Sequence, residues 1–154
     1  MLKVDLTRHS RIRINNMLKW PKYDLPFEPT ISYWLGGIST FDREETLGEE
    51  LRKYNPNNSS DRDVIIRKYV VARFDDLPYR HKFVLFKILE NYLLKPEFDF
   101  STQFETDYET NDSVAWDETE VENPRGFFED IFRLAAEEWK DELDRAGTED
   151  QSTW

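Results

Sequence analysis

The sequence contains no cysteine, which excludes disulfides, thiolate metal sites and a cysteine nucleophile. It has only two histidines, His9 and His81, and their distant positions match no His-Glu-x-x-His or comparable metal spacing. No run approaches the roughly 18 apolar residues that a membrane span needs, and the first residues lack the apolar region of a secretory signal. We therefore expect a cytoplasmic protein that binds no metal ion and does not enter a membrane.

Glycine is also scarce, with 5 residues in 154, and no glycine-rich catalytic motif is present. The pair Gly36-Gly37 is followed by Ile38-Ser39-Thr40, not by the Gly-Lys-Ser of a phosphate-binding loop, and no Gly-x-Ser-x-Gly occurs. The stretch 107–112 offers several oxygen donors but lacks the glycine and the final glutamate of a calcium-binding loop. These absences predict that the protein is not an enzyme, needs no cofactor and has no small-molecule substrate.

What the sequence does contain is a stretch from Glu97 to Glu122 without any Lys or Arg, called here the acidic segment. Its carboxylates are Glu97, Asp99, Glu105, Asp107, Glu109, Asp112, Asp117, Glu118, Glu120 and Glu122. The large rings that stand among them are Phe98, Phe100, Phe104, Tyr108 and Trp116. This combination of crowded negative charge and aromatic side chains is the most informative feature of the chain.

The acidic segment has two interpretations. In the first, its rings fill the core of the domain while its carboxylates merely face water. In the second, it is a binding surface for a cationic partner, because crowded carboxylates repel one another and a solvated acidic tail needs no large rings. We favour the second interpretation, with Tyr108 and Trp116 as anchor side chains. The predicted partner-binding residues are Glu105, Asp107, Tyr108, Glu109, Asp112, Trp116, Asp117, Glu118 and Glu120.

Charge is distributed unevenly between two parts of the chain. Residues 1–95 contain 17 basic and 13 acidic residues, a net charge of +4, whereas residues 96–154 contain 4 basic and 19 acidic residues, a net charge of −15. Such an asymmetry indicates an electrostatically chosen partner. A negative field repels phosphate backbones, so we expect a basic protein as the partner and no direct binding of nucleic acid or membranes.

The length of 154 residues and an aromatic content of 15% predict one domain with a substantial core. We assign residues 1–147 to this domain and residues 148–154 to a short polar tail that frays except where Trp154 finds contacts. The predicted fold is mainly α, a compact bundle of about four or five helices with irregular aromatic segments at 20–37 and 97–122.

Three helices are predicted from apolar side chains that recur at spacings of three and four. The first follows Thr40. The second follows a cap at Asp75 or Asp76 and ends at Lys95. The third begins with Asn123 as its cap and a proline at the first helical position.

Two regions leave helix and strand both open. The run 64–74 is rich in β-branched residues, yet its length and a capping box at its start favour a helix. Near the N-terminus, Ser10 as a cap favours a short helix that includes Leu18, but the β-branched residues there also permit a strand. A small sheet that includes 31–38, 64–74 or part of 98–108 is the main alternative, and it would make the fold α+β.

The acidic segment resembles sequences of immunity proteins of bacterial toxin systems, including contact-dependent growth inhibition and nuclease bacteriocins. The local carriers of this resemblance are Phe104-Glu-Thr-Asp-Tyr-Glu-Thr-Asn-Asp112 and Trp116-Asp-Glu-Thr-Glu120, within a small, cysteine-free acidic chain. The resemblance implies a cytoplasmic bacterial protein that binds the toxin domain of its own producer, at the active site, the substrate path or an exosite. It implies no functional residue by a shared motif.

We therefore predict a stoichiometric inhibitor of a basic toxin domain, with a nuclease as the leading target. One alternative is an acidic mimic of nucleic acid that acts on a DNA-binding or restriction protein, with carboxylates spaced like phosphates. The second alternative is a carboxylate-based enzyme or enzyme subunit, which requires Glu or Asp side chains that converge in a pocket.

Overall fold

Most of the chain is helical in the computed structural model, which describes residues 4–6, 12–14, 18–109 and 113–154. The α-helices of this part are α1 (Glu49–Leu51), α2 (Ser59–Ile65), α3 (Tyr79–Leu93), α4 (Pro124–Glu138) and α5 (Lys140–Gly147). The 3₁₀ helices are Ile31–Ile38, Ala72–Phe74, Phe100–Phe104 and Gln151–Thr153, and the π-helical turns are Glu44–Gly48 and Ile66–Val71. The predicted mainly α fold is confirmed.

Helix α3 lies at the centre of the domain, since residues 81–86 are all buried and the helix packs against both α4 and α5. Phe86 of α3 stacks on Phe132 of α4 with ring centroids 4.5 Å apart. Phe83 meets Trp154 edge-on at a centroid distance of 5.7 Å. Such aromatic pairs contribute about 0.5–1.5 kcal/mol each beyond the burial of their area. The helix predicted here is confirmed, although it begins after Pro78 without a capping side chain.

Helix α4 begins as predicted, because Asn123 Oδ1 accepts a hydrogen bond from the backbone N–H of Gly126 at 3.0 Å. Pro124 fits the first helical position, where its missing N–H has no partner to lose. The predicted single helix is divided at Trp139, whose φ of −104° and ψ of 16° are not helical. The Trp139 ring stacks on the buried ring of Trp34 at 5.6 Å. The division separates α5 from α4, and both helices contact α3.

Residues 148–154 attach to the first turn of α3. The Glu149 carboxylate accepts hydrogen bonds from the Tyr79 hydroxyl at 2.7 Å and from Arg80 Nε at 2.9 Å. Trp154 is buried against α3. The sequence led us to expect a frayed tail that only Trp154 holds, whereas Glu149 ties the segment down as well.

The prediction of an irregular segment at 20–37 is wrong in its second half, which forms the 3₁₀ helix Ile31–Ile38. Its buried apolar residues have the spacings of three and four that are typical of a helix: Ile31, Trp34, Leu35 and Ile38. The glycine pair, which suggested a loop, instead permits close packing. A Cβ on Gly37 would lie 1.7 Å from the carbonyl oxygen of Tyr69.

The run 64–74 is helical, which confirms the favoured prediction. Helix α2 passes directly into the π-helical turn Ile66–Val71 and then into the 3₁₀ turn Ala72–Phe74. The cap is Asn58 instead of the predicted capping box, because Asn58 Oδ1 accepts a hydrogen bond from the backbone N–H of Asp61 at 3.0 Å.

The helix predicted after Thr40 begins at Glu44 with a π-helical turn and ends at Leu51 of α1. Asp42 precedes it with a φ of 59°, in the left-handed region that aspartate tolerates better than most residues. The helix is therefore confirmed in position.

Two short strands, β1 (Val4–Leu6) and β2 (Ile12–Ile14), pair antiparallel. The favoured helix near the N-terminus is wrong at Ile12–Ile14, where β-branched residues suit an extended backbone; its proposed cap, Ser10, lies outside the described residues. The alternative sheet is wrong in location, since 31–38 and 64–74 are helical and 98–108 forms a 3₁₀ helix, a bend and a turn, with a single β-bridge position at Asp107.

Candidate functional site

The start of the acidic segment is fixed to α4 by Arg125. Its guanidinium donates hydrogen bonds to the carbonyl oxygens of Leu93 at 3.2 Å, Lys95 at 2.7 Å and Phe98 at 3.0 Å. The same group lies 4.8 Å from the centre of the Phe100 ring. Arg125 therefore satisfies the carbonyls at the end of α3 and places the chain that comes after them.

The other end of the acidic segment is held by Asn57, in the loop before α2. Asn57 Nδ2 donates to the carbonyl oxygen of Glu120 at 2.9 Å, and Asn57 Oδ1 accepts from the backbone N–H of Glu122 at 2.9 Å. One amide side chain thus bonds the backbone on both sides of Val121, which is buried. This clamp fixes the position of the carboxylates around residue 120.

Residues 113–115 run along the end of the 3₁₀ helix Ile31–Ile38. The backbone N–H of Thr40 donates to Ser113 O at 2.9 Å, and that of Ala115 donates to Ile38 O at 3.0 Å. Ser39 and Val114 form an isolated antiparallel bridge between these bonds. The acidic segment is therefore attached to the core in its second half as well as at its ends.

Most of the aromatic rings of the acidic segment belong to the core. Phe104 meets Phe127 of α4 edge-on at 5.4 Å, and Phe100 lies 4.8 Å from Phe128. Trp116 is only 6% exposed, so its predicted role as a surface anchor is wrong in this structure. The interpretation that rings fill the core is right for these side chains, and sequence alone does not tell which way a ring faces.

Tyr108 is the exception, because 87% of its side chain is exposed. The predicted carboxylates Glu105, Asp107, Glu109, Glu118 and Glu120 are exposed, and Asp117 is half-buried. Asp112 lies outside the described residues. The structure therefore leaves Tyr108 and the carboxylates as the accessible part of the predicted site.

Several carboxylates of the acidic segment shape its turns. Asp117 Oδ1 accepts hydrogen bonds from Thr119 Oγ1 at 2.5 Å and from the Thr119 backbone N–H at 2.9 Å. Asp99 Oδ1 accepts in the same way from Ser101 Oγ at 2.6 Å and from the Ser101 N–H at 3.0 Å. These bonds, the hydroxyl bond first, hold the pKa of each aspartate below its usual range. Both side chains are therefore anionic throughout the physiological pH range.

Several carboxylates of the acidic segment lack an ion pair with the cations that the structure describes. Glu105, Glu109, Asp117, Glu118 and Glu120 make no ion pair with any Lys or Arg that the structure describes. These five carboxylates can therefore meet an external cation without first breaking an ion pair to a described residue.

The described residues offer neither a metal site nor a membrane span. In residues 4–6, 12–14, 18–109 and 113–154 no group of three or more His, Asp or Glu side chains is placed to hold a metal ion. No helix in this part of the chain has the length and apolarity needed to cross a membrane.

No protein-family model matches the chain, and neither a curated protein nor a solved structure is significantly similar to it. The function is therefore inferred from the geometry of the site.

Sequence reasoning missed the two residues that position the site. Asn57 gives no sequence signal of this role, because its bonds reach backbone groups more than 60 residues away. Arg125 stands out only as the first cation after the acidic segment.

Proposed function

We propose that this protein is a cytoplasmic, stoichiometric inhibitor that binds and neutralises a basic protein through the acidic segment. The leading target is a toxin domain with nuclease activity, as for an immunity protein. The observation that carries the proposal is the set of exposed carboxylates, such as Glu105, Glu109 and Glu118, which make no ion pair with a described cation and belong to a segment whose two ends are attached to the core.

Charge on a fixed surface acts in two ways. It accelerates the encounter with a basic partner, and it sets the register of the complex through pairs with Lys and Arg. The anchors at Arg125 and Asn57 reduce the conformational entropy that the acidic segment loses on binding. A surface of this kind is negatively charged, as a phosphate backbone is, so it competes with nucleic acid for the substrate-binding surface of a nuclease.

Tyr108 supplies what charge alone lacks. Exposed ion pairs contribute little net affinity, whereas a tyrosine that becomes desolvated in an interface is a typical hot spot. With 87% of its side chain exposed, Tyr108 has most of its area available for burial against a partner. We expect Tyr108→Ala to accelerate dissociation and the carboxylate variants to slow association.

The test uses a variant that removes charge from the acidic segment and leaves its turns intact. Glu105→Gln, Glu109→Gln and Glu118→Gln combined removes three charges without touching the turn-forming side chains of Asp99 and Asp117. The matched control combines Glu45→Gln, Glu49→Gln and Glu129→Gln, which removes three exposed carboxylates elsewhere that also make no ion pair with a described residue.

The measurement is affinity capture with the tagged full chain from extract of its native cells, followed by an inhibition assay of the captured protein. We expect wild type and control to retain one basic protein in equal amount through a high-salt wash and to inhibit it. The triple Gln variant should associate with that protein more slowly, capture less of it and inhibit it more weakly, with a melting temperature close to that of wild type. Equal retention by all three proteins removes the acidic segment from the mechanism, and several DNA-binding proteins that wash off with salt point to nucleic-acid mimicry instead.

A further inference from the structure

A pocket of about 480 Å³ lies beside the 3₁₀ helix Ile31–Ile38. Its walls include two arginines, Arg43 and Arg73, and two aromatic rings, Trp20 and Tyr33. The volume is within the range of small-molecule sites in proteins. None of the residues that line the pocket is a predicted partner-binding residue. Binding of a ligand in the pocket is therefore separate from the function proposed above.

Both arginines are held by backbone carbonyls. Arg73 Nη1 donates to the carbonyl oxygen of Tyr33 at 2.7 Å, and Arg43 Nη2 donates to those of Ser39 and Gly36. A carbonyl fixes a guanidinium but does not neutralise it. Neither arginine makes an ion pair with a carboxylate that the structure describes, so two full positive charges line one pocket.

The chain has 32 acidic and 21 basic residues, yet no described carboxylate pairs with either arginine. The Arg73 guanidinium lies 4.7 Å from the Tyr33 ring centre and 5.0 Å from that of Phe74. Desolvation lowers the pKa of Arg73, Tyr33 opposes this shift, and the positive charge of Arg43 adds to it. Arg43 and Arg73 are both exposed residues of one pocket, so their like charges repel and a bound anion relieves that repulsion.

Gly36 completes the seat of Arg73. A Cβ at this position would lie 2.0 Å from Arg73 Nη1 and 2.4 Å from its Cζ, so any side chain there displaces the guanidinium. The glycine pair lacks the sequence of a phosphate-binding loop, yet its first member makes room for a positively charged group.

We propose that this pocket binds the phosphate group of a small organic phosphate, with Arg43 and Arg73 as its ligands. A phosphate monoester carries about −1.5 to −2 charges at pH 7, which matches two guanidinium groups better than a single carboxylate does. The planar donor fork of arginine bonds phosphate oxygens in pairs. The rings of Trp20 and Tyr33, which meet edge-on at 5.4 Å, give the organic part of the ligand an apolar wall. The sequence led us to expect no small-molecule substrate, and this proposal concerns a bound ligand, not a reaction.

Glu28 lines the same pocket and makes no ion pair with a described cation. Its negative charge opposes an anion, and it suits a ligand whose hydroxyl groups donate a hydrogen bond to it. We therefore expect Glu28→Gln to strengthen the binding of inorganic phosphate. A gain of affinity is informative because damage to the fold does not produce one.

The experiment is isothermal titration calorimetry of the full chain with ribose 5-phosphate, inorganic phosphate and ribose at constant ionic strength. We expect both phosphates to bind, ribose 5-phosphate more tightly, and ribose not to bind. Arg43→Lys and Arg73→Lys keep the charge but remove the fork, and each should weaken binding about 10-fold or more. Gly36→Ala should act in the same direction by displacing Arg73. The matched control is Arg52→Lys, an exposed arginine outside the pocket that makes no ion pair with a described residue.

The proposal is overturned if wild type binds neither phosphate, if Arg52→Lys weakens binding as much as Arg73→Lys, or if Glu28→Gln weakens the binding of inorganic phosphate. Equal affinity for ribose 5-phosphate and inorganic phosphate would show that the rings of Trp20 and Tyr33 do not contribute to binding of the ligand. Should Arg73→Lys unfold the protein, the exposed Arg43 and the gain expected from Glu28→Gln still decide the outcome.

Discussion

The acidic segment and the helical pair α4–α5 are both dense in carboxylates, but the two regions differ in the ion pairs that these carboxylates make. In the helices, Glu137 and Glu138 bind Arg67, and Glu142 binds the buried Lys82. In the acidic segment, side chains such as Glu105 and Glu118 make no ion pair with a described residue. The same residue types therefore stabilise the fold in one region and remain available to a partner in the other.

This difference changes the meaning of the charge asymmetry along the chain. Part of the positive excess of residues 1–95 is placed against the negative excess of residues 96–154, across the packed helices. The imbalance that first suggested a partner is therefore satisfied in part within the molecule. The unbalanced negative charge of residues 96–154 is concentrated in the acidic segment. This segment is therefore a more specific candidate for partner binding than the charge totals indicated.

The largest effect is expected where a paired carboxylate in α5 is removed. Lys82 is only 4% exposed, and its Nζ lies 2.8 Å from Glu142 Oε1 and 5.7 Å from the Trp139 ring centre. Glu142→Ala leaves this cation buried without an anion. Loss of one partner of a fully buried pair costs about 3–5 kcal/mol, and we expect about 2 kcal/mol because Glu142 itself touches water. Urea unfolding monitored by tryptophan fluorescence measures it.

The control for this prediction lies on the same helix. Asp144 pairs with Lys140 at 3.0 Å and both side chains are largely exposed, so Asp144→Ala should destabilise the protein far less than Glu142→Ala. If the two substitutions lower the free energy of unfolding equally, burial does not determine how much a paired carboxylate contributes. The contrast between the helices and the acidic segment is then wrong for the helices.

A smaller loss is expected from Asn57→Ala, which breaks both bonds of the clamp on the acidic segment. Two hydrogen bonds to backbone groups are worth about 1–2 kcal/mol together. Hydrogen exchange at the backbone N–H of Glu122 should accelerate more than exchange in the middle of α3. Asn91→Ala, at a side chain without a hydrogen bond to a described residue, serves as the control. Unchanged exchange at Glu122 would show that the clamp does not hold the segment.

Arg67→Gln should have a still smaller effect, although it breaks two ion pairs at once. Its partners Glu137 and Glu138 are half-exposed, so the pairs are screened and we expect about 0.5 kcal/mol, falling with added salt. The triple Gln variant of the acidic segment should show no such loss, because it breaks no pair. Comparing the two at low and high salt tests whether the regions differ as stated.

The smallest effect concerns acid stability at Asp117, whose folded-state pKa is lowered by its bonds to Thr119. A lowered pKa contributes stability above the unfolded value of about 3.9, and this contribution disappears as the pH falls through the folded-state value. The stability advantage of wild type over Asp117→Asn should therefore be present at pH 7 and decrease as the pH falls below the unfolded value. Thr119→Ala removes the hydroxyl donor and should reduce the same pH dependence. A difference between wild type and Asp117→Asn that does not change with pH contradicts the assignment.

The elements that sequence predicted well are those whose local signals agree. Helix α3 has an apolar stripe uninterrupted by Gly or Pro, and the start of α4 has Asn123 and Pro124 in the positions that caps require. The 3₁₀ helix Ile31–Ile38 was missed because its glycine pair indicated a loop. Position 37 requires glycine because a neighbouring backbone lies against it. This is a tertiary contact, and no local sequence pattern reveals it.

The candidate site was predictable in outline but not in its parts. Composition located the acidic segment, yet Trp116 turned out to be core while Tyr108 is exposed. Ring orientation depends on which side of the backbone meets α4, and this is set by distant residues. Arg43 and Arg73, which the pocket brings together, are separated in the sequence by α1 and α2 and carry no shared motif.

The pair between Lys82 and Glu142, which are 60 residues apart, also has a consequence for synthesis of the chain. Ribosomes deliver α3 well before α5, at roughly 5–20 residues per second. Until Glu142 emerges, burial of Lys82 is opposed by its unpaired charge, and the apolar faces of α3 have neither α4 nor α5 to cover them. A nascent chain that ends before α5 therefore leaves Lys82 unpaired and the core incompletely folded, so closure of this core awaits α5.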